Sequence, residues 1–355
     1  MKRLKINRDY LITYGIVIVF YVIMSILKGT NNLSSLFKGL LVPLCVYMIM
    51  AVSLNLTVGI LGELSLGHAG FMCVGAFSSA FFSMIMKDSI TNPIVRFIIA
   101  IIISAVVAAI FGILIGIPVL RLRGDYLAIV TLAFGEIIKN IINILYVGKD
   151  ADGIHVSFKD AASLGMGEDG KIIINGAQGI TGTPNDSTFT IGIILLIISL
   201  FIVLNFMSSR SGRAVMAIRD NRIAAESIGI NISKYKLMAF AISASLAGMA
   251  GALYAHNLAT LNALPKNFGY NMSIMILVYV VLGGIGNIRG SVIAAAILTV
   301  LPELLRGLSD YRMLIYSIVL IGMMLFNSSS KAEQWKAKFS PAKLIKKHKT
   351  VKEAE

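Results

Sequence analysis

The sequence predicts an all-α polytopic membrane protein of about ten transmembrane helices. Three observations carry this: an apolar composition, apolar runs long enough to span a bilayer, and a one-sided distribution of basic residues. Of 355 residues, 57% are hydrophobic and 14% charged, whereas soluble domains are about 45–50% apolar and about 25% charged. A mean hydropathy of +0.82 leaves too little polar surface to coat soluble domains and excludes intrinsic disorder. The net charge of +14 does not imply a nucleic-acid partner, because a polytopic protein uses Lys and Arg for orientation. Cys45 and Cys73 both lie in apolar runs and offer no disulfide framework or zinc site.

A spanning helix needs about 20 apolar residues, and barrel strands would alternate over about ten. The runs here are longer and apolar all round, so they read as helices near 10–27, 39–58, 67–86, 97–120, 126–147, 189–207, 237–259, 272–289, 291–306 and 312–327. Gly and polar residues interrupt the runs near 60–90 and 280–306. The first run follows Lys2, Arg3, Lys5 and Arg8 but no small-residue cleavage site closes it, so it reads as an uncleaved first helix.

Orientation follows from the basic residues. The first ten residues, the stretch 208–236 and the tail after 327 hold 18 of the 32 Lys and Arg, and all three share one side if there are ten spans. The loop 148–188 falls on the other side, with six acids against three lysines. Both termini are therefore expected in the cytoplasm. The expected organisation is one transmembrane domain, 1–330, with a cytoplasmic segment 208–236 and an external loop 148–188, then a Lys-rich cytoplasmic tail, 331–355. That tail reads as a positive-inside anchor, with lipid headgroups as an unspecific alternative.

Soluble-enzyme motifs fail in context. Gly165, Gly167, Gly170 and Lys171 fit phosphate-loop patterns, but no buried strand precedes them, no helix is expected to follow, and Ile172 lacks the hydroxyl that would hold Mg²⁺. A flexible external turn is the expectation there. No Cys/His set has metal-ligand spacing, so no metal site is expected, and no nucleophile–base pair supports intramembrane catalysis. With no nucleotide site in this chain, ATP-driven transport would need hydrolysis by another.

Four segments carry chemical information. In 61–80, Gly62, Gly67, Gly70 and Gly75 accompany Glu63, Ser65 and His68. Such a segment either packs helices closely through small residues or breaks a helix to present backbone groups to a polar substrate. After Gly124, Asp125 suits a helix N-terminus. Further on, Glu136, Lys139, Asn140 and Asn143 share one face, with Glu136 and Lys139 near enough to pair. Charges within a span face the protein interior or a water-filled path, and snorkelling to the outer surface is the competing reading. The segment 208–236, with Arg213, Arg219, Asp220, Ala224, Ala225, Glu226 and Gly229, reads as short amphipathic helices on the membrane surface or, better, docked to a cytoplasmic partner. Gly283, Gly284 and Gly286 read as close packing or a tight turn.

Together these stretches resemble the LivM-type permease subunit of branched-chain amino acid ABC importers, from about residue 40 to 325. The likeness rests on G-E-L-S-L-G-H-A-G-F at 62–71, R-L-R-G-D-Y-L-A-I-V-T-L-A-F-G-E-I-I at 121–138, and G-R-A-x-x-A-I-R-D-N-x-x-A-A-E-S-I-G-I-N at 212–231. K-L-M-A-F-A-I-S-A-S-L-A-G-M-A-G-A-L-Y-A and V-V-L-G-G-I-G-N-I-R-G-S follow in family order, and G-A-Q-G-I-T-G-T-P at 176–184 departs from the family pattern at Thr183. The resemblance implies a ten-span permease of the type II-like importer kind in a bacterial plasma (inner) membrane. Its implied partners are a LivH-like permease, two cytoplasmic ATPase subunits that bind the ATP, and an extracytoplasmic substrate-binding protein. It puts Ala224, Ala225, Glu226 and Gly229 on an ATPase-contacting loop. Alternatives are a permease for another small polar solute (urea, a short amide or a sugar) and a stand-alone secondary transporter.

Overall fold

The computed structural model describes residues 8–30, 34–122, 124–150, 152–167 and 170–305, with scattered positions between 311 and 322. Arg123, Glu168, Asp169, most of the expected last span and the Lys-rich tail lie outside the described residues. The chain divides into two units, Met1–Ile297 and Leu298–Glu355. The elements below belong to the first, apart from the end of the last helix.

Two helices open the chain, α1 (Arg8–Gly29) and α2 (Ser35–Asn55). The second runs on into a π-helical turn, Leu56–Leu61. After a non-helical stretch come α3 (His68–Ile85), α4 (Pro93–Val119) and α5 (Asp125–Asn143). The long loop expected at 148–188 contains regular structure. It holds β1 (Tyr146–Lys149), β2 (Ile154–Ser157) and β3 (Lys171–Asn175) as an antiparallel sheet ordered β2-β1-β3. The phosphate-loop lookalike at Gly165–Lys171 leads into strand β3 rather than a helix, and Gly165 sits at φ 60°. A short β4 (Ile180–Thr181) pairs with a later strand.

Beyond the loop lie α6 (Phe189–Ser208), the short α7 (Arg210–Asp220) and α8 (Arg222–Ser227), and the long α9 (Ile232–Ala255). Then follow β5 (Thr260–Leu261), α10 (Pro265–Phe268), α11 (Tyr270–Gly283) and α12 (Ile288–Leu304). Six stretches among the described residues are long and apolar enough to cross a membrane: Tyr10–Gly29, Phe37–Leu61, His68–Ile85, Pro93–Val119, Phe189–Ser208 and Ile232–Ala255. The 19-residue α5, which carries Asp125, Glu136 and Lys139, and the shorter α11 and α12, of 14 and 17 residues, are not among these six.

The core forms around α9, which packs on α2, α3 and α4. Lipid supplies no hydrophobic drive between helices, so close van der Waals approach must hold them together. Small residues permit it. A Cβ built on Gly251 would lie 2.1 Å from the Met72 carbonyl oxygen, and one on Gly75 would lie 2.4 Å from the Gly248 backbone. Gly248 itself abuts the Ser104 carbonyl on α4, at 2.6 Å from such a Cβ. The glycines of α3 and α9 are thus a shared seam.

Candidate functional site

The site is built on the break between α2 and α3. Asn55 closes α2 and sends its side chain outward from the helix. Its Nδ2 donates to Ser291 Oγ at 2.7 Å, and its Oδ1 accepts the Gly286 amide at 2.8 Å. Backbones approach closely here, since a Cβ on Gly59 would sit 2.3 Å from the Gly286 nitrogen. Gly284 and Gly286 take positive φ of 96° and 80°, and Gly283 lies against Gly290, so this glycine cluster is both a tight turn and a packing seam. The π-turn ends at Gly62 in the left-handed region, φ 78°, and the Glu63 amide closes back on the Thr57 carbonyl at 3.1 Å. Only glycine adopts such a φ without steric cost.

Residues 62–67 are non-helical and need other partners for their backbone groups. The Leu66 amide donates to Thr131 Oγ1 of α5 at 3.0 Å, and the Ala69 amide in the first turn of α3 donates to Ser273 Oγ of α11 at 3.1 Å. Gly67 and Gly70 let α5 approach: a Cβ on Gly67 would meet the Thr131 carbonyl oxygen at 2.3 Å, and one on Gly70 the Gly135 Cα at 2.7 Å.

His68 starts α3 fully buried and reaches Ser243 in the middle of α9, Nε2 to Oγ 2.8 Å. Hydrogen-bond bookkeeping assigns its tautomer. The Ser243 hydroxyl proton goes to the Ser53 carbonyl at 2.6 Å, since a carbonyl only accepts. Ser243 Oγ then accepts from Thr57 Oγ1 at 2.8 Å and from His68, so Nε2 of His68 carries the hydrogen and Nδ1 faces Ser65 Oγ at 3.4 Å. This polar cluster joins α2, α3 and α9 inside an apolar core, where a satisfied network specifies one packing.

Below the break, two charged contacts tie it to the segment expected to face a partner. Glu63 pairs with Lys236 at the start of α9, both largely buried. Arg219, near the end of α7, donates from Nη1 to the Gly59 carbonyl of the π-turn at 2.8 Å and from Nε and Nη2 to Asp220 Oδ1 at 3.1 and 2.9 Å. Its stem covers Gly62, where a Cβ would stand 2.5 Å from Arg219 Cγ.

The helices α7 and α8 form for local reasons. Ser209 caps the first through the Gly212 amide at 3.0 Å, and Asn221 caps the second through the Ala224 amide at 3.0 Å. Arg213 folds back on the Ser208 carbonyl at 2.8 Å. Ala225 is buried with Ile218 and Ile232, whereas Ala224, Glu226 and Gly229 are exposed and Gly229 ends the helix pair at φ 83°. Ile223 and Ile228, 81% and 74% exposed, project from the same element.

Glu136 pairs with Lys139 as its spacing suggested, and its other carboxylate oxygen accepts the Tyr270 amide at 2.8 Å. Asn143 donates to the Ala263 carbonyl at 3.1 Å, while Asn140 is exposed and is not brought to these groups. Gly124 has φ 58° and open space around it. Sequence reasoning missed Asn55, Ser53, Thr57, Ser243 and Lys236. The available signal was the run of polar residues 53, 55 and 57 ending an otherwise apolar span.

A family model for the "branched-chain amino acid transport system / permease component" matches residues 36–327. The chain belongs to this permease family. It is 34% identical over 290 residues to the high-affinity branched-chain amino acid transport system permease protein LivM of Salmonella typhimurium, covering 79% of this chain and 66% of that protein. It is 32% identical over the same length and shares to LivM of Escherichia coli. More distant is the fructose import permease protein FruG of Bifidobacterium longum, 27% identical over 177 residues, 47% of this chain and 50% of that one. The chain spans 66% of the length of its LivM relatives. No solved structure matches it. Family and apolar helices together make this a multi-pass membrane protein.

Proposed function

We propose that the chain is the permease subunit of an ATP-driven importer for branched-chain amino acids (leucine, isoleucine and valine), working by alternating access in a bacterial plasma membrane. In this reading it has ten spans, cytoplasmic termini and an external 148–188 loop. It pairs with a LivH-like permease, and it draws energy from two cytoplasmic ATPase subunits that bind the ATP, while an extracytoplasmic binding protein delivers substrate to the sheet β2-β1-β3. It is a transport subunit rather than an enzyme.

The observation that carries the reading is the Arg219–Gly59 contact. The helix pair α7–α8 exposes Ile223, Ile228, Ala224 and Glu226 for an ATPase surface while its Arg219 holds the π-turn that follows α2. Movement of the pair is thereby passed to the break, where a π-turn and a left-handed glycine make a natural hinge. In this reading Glu63, Ser65, His68, Glu136 and Asn140 belong to the translocation path. Reconstitution with the partner subunits tests this: ATP-dependent uptake of labelled leucine supports the reading, and uptake that is indifferent to ATP but follows an ion gradient refutes it.

The partial likeness to a sugar permease favours one second reading, a different small polar solute. Coverage favours the first, since LivM relatives match 79% of the chain against 47% for the fructose permease.

A further inference from the structure

A cavity of about 300 Å³ opens between the end of α4 and the start of α9. Its floor is apolar, Gly116, Ile117, Leu120 and Leu237, and its rim carries Arg121, Lys234 and Ser233. Among the described residues that line it there is no carboxylate. Neither the Arg121 nor the Lys234 side chain has a hydrogen-bond or ion-pair partner among the described residues. Two unneutralised cations over an apolar floor are a poor surface for water alone and a good one for an anion with a hydrocarbon tail.

The position is that of a headgroup. The 27 residues of α4 extend about 40 Å at about 1.5 Å per residue, more than the roughly 30 Å hydrocarbon layer, so its last turn reaches the polar boundary. From that turn an exposed stripe, Ile117, Ile113, Ile110, Val106 and Ile102, runs back along α4 at three- and four-residue steps. The stripe begins inside the cavity at Ile117 and continues at acyl-chain depth.

We propose that this cavity is a binding site for an anionic phospholipid, its phosphate held by Arg121, Lys234 and Ser233 Oγ and one acyl chain lying along the α4 stripe. Basic pockets between helices at a membrane boundary suit such headgroups. The site requires α4 to span the membrane but not the transport activity proposed above, so the two fail independently.

The test is native mass spectrometry of the full chain from detergent with phosphatidylglycerol or phosphatidylcholine added. Wild type is expected to retain one phosphatidylglycerol more than phosphatidylcholine. Arg121→Gln/Lys234→Gln is expected to weaken that binding about thirtyfold, as for two basic residues at a charged surface. Arg121→Lys/Lys234→Arg is expected to keep it. Inorganic phosphate at millimolar concentration is expected not to compete, because it lacks the chain that fills the stripe. Equal retention of the two lipids, or unaltered phosphatidylglycerol binding by the Gln variant, overturns the proposal, and competition by phosphate overturns its acyl-chain part. Should the Gln variant misfold, Ile117→Trp in a Trp335→Phe background reads the same site. Its fluorescence is expected to be quenched more by brominated phosphatidylglycerol than by brominated phosphatidylcholine, and equal quenching contradicts the assignment.

Discussion

Arg219 and Gly59 are 160 residues apart, yet the guanidinium donates to the Gly59 carbonyl at 2.8 Å. One end of this contact is an exposed helix pair, and the other is a π-turn buried under α11–α12 glycines. A π-turn leaves backbone carbonyls off the regular ladder, and an arginine satisfies one without requiring a regular helix there. The arrangement ties the break between α2 and α3 to α7.

Gly62 should be intolerant for two separable reasons. Its φ of 78° costs an L-residue about 1–2 kcal/mol, and any Cβ would displace Arg219. Gly62→Ala is therefore expected to lower stability by at least about 1 kcal/mol and to impair transport more than expression. Combining it with Arg219→Ala, which removes the clash, should cost less than the sum of the single changes in thermal unfolding.

The Ser243 hydroxyl satisfies three groups at once. Ser243→Ala would strip partners from His68, Thr57 and the Ser53 carbonyl, all buried, at about 1–3 kcal/mol for each group left unsatisfied. Ser243→Cys keeps the shape with weaker hydrogen bonding and should fall between. Melting of the purified chain in detergent checks the order wild type, Cys, Ala.

Glu63 and Lys236 form a pair shielded by the protein. Lys236→Met leaves a buried carboxylate unpaired and is expected to destabilise by about 3–5 kcal/mol. The double variant Lys236→Met/Glu63→Gln should recover much of the loss. A double variant no better than the single one would show that the two side chains do not act as a pair.

Asp150 organises the loop that holds β1, β2 and β3. Partial burial pushes its carboxyl up, but the Gly167 amide, the His155 ring and the amides of Asp152 and Gly153 outweigh that and hold it below the usual carboxylate range. A depressed carboxylate contributes stability above its unfolded value, and the contribution is lost as pH falls through the folded value. Loop ordering, read by hydrogen exchange at residues 150–167, is expected to be constant near neutrality and to loosen below about pH 4. Asp150→Asn should remove that dependence.

Most of the helices were legible from apolar runs, because hydropathy reports helix length directly. The interruption near 60 was legible too, since Gly62, Gly67 and Gly70 beside Glu63 and His68 make a poor continuous helix. Its partners were not. Ser243 and Asn55 look like minor polar residues in apolar spans, and only the fold brings 243 to 53 and 55 to 286. The strands of 146–175 were hidden because their pairing depends on contacts across a polar loop rather than on an apolar pattern. Likewise the reading of Arg219 as a partner-facing charge did not include its inward grip on the Gly59 carbonyl. Its sequence neighbours place it in the segment, whereas the contact to Gly59 comes from helix packing.

The most direct test compares ATP hydrolysis and leucine uptake in proteoliposomes holding the complete importer, wild type against Arg219→Ala. On the proposed coupling, in which ATPase motion reaches the break between α2 and α3 through Arg219, the expected result is hydrolysis within about twofold of wild type with uptake reduced at least about tenfold. Uptake per ATP equal to wild type would contradict the assignment of Arg219 as the link.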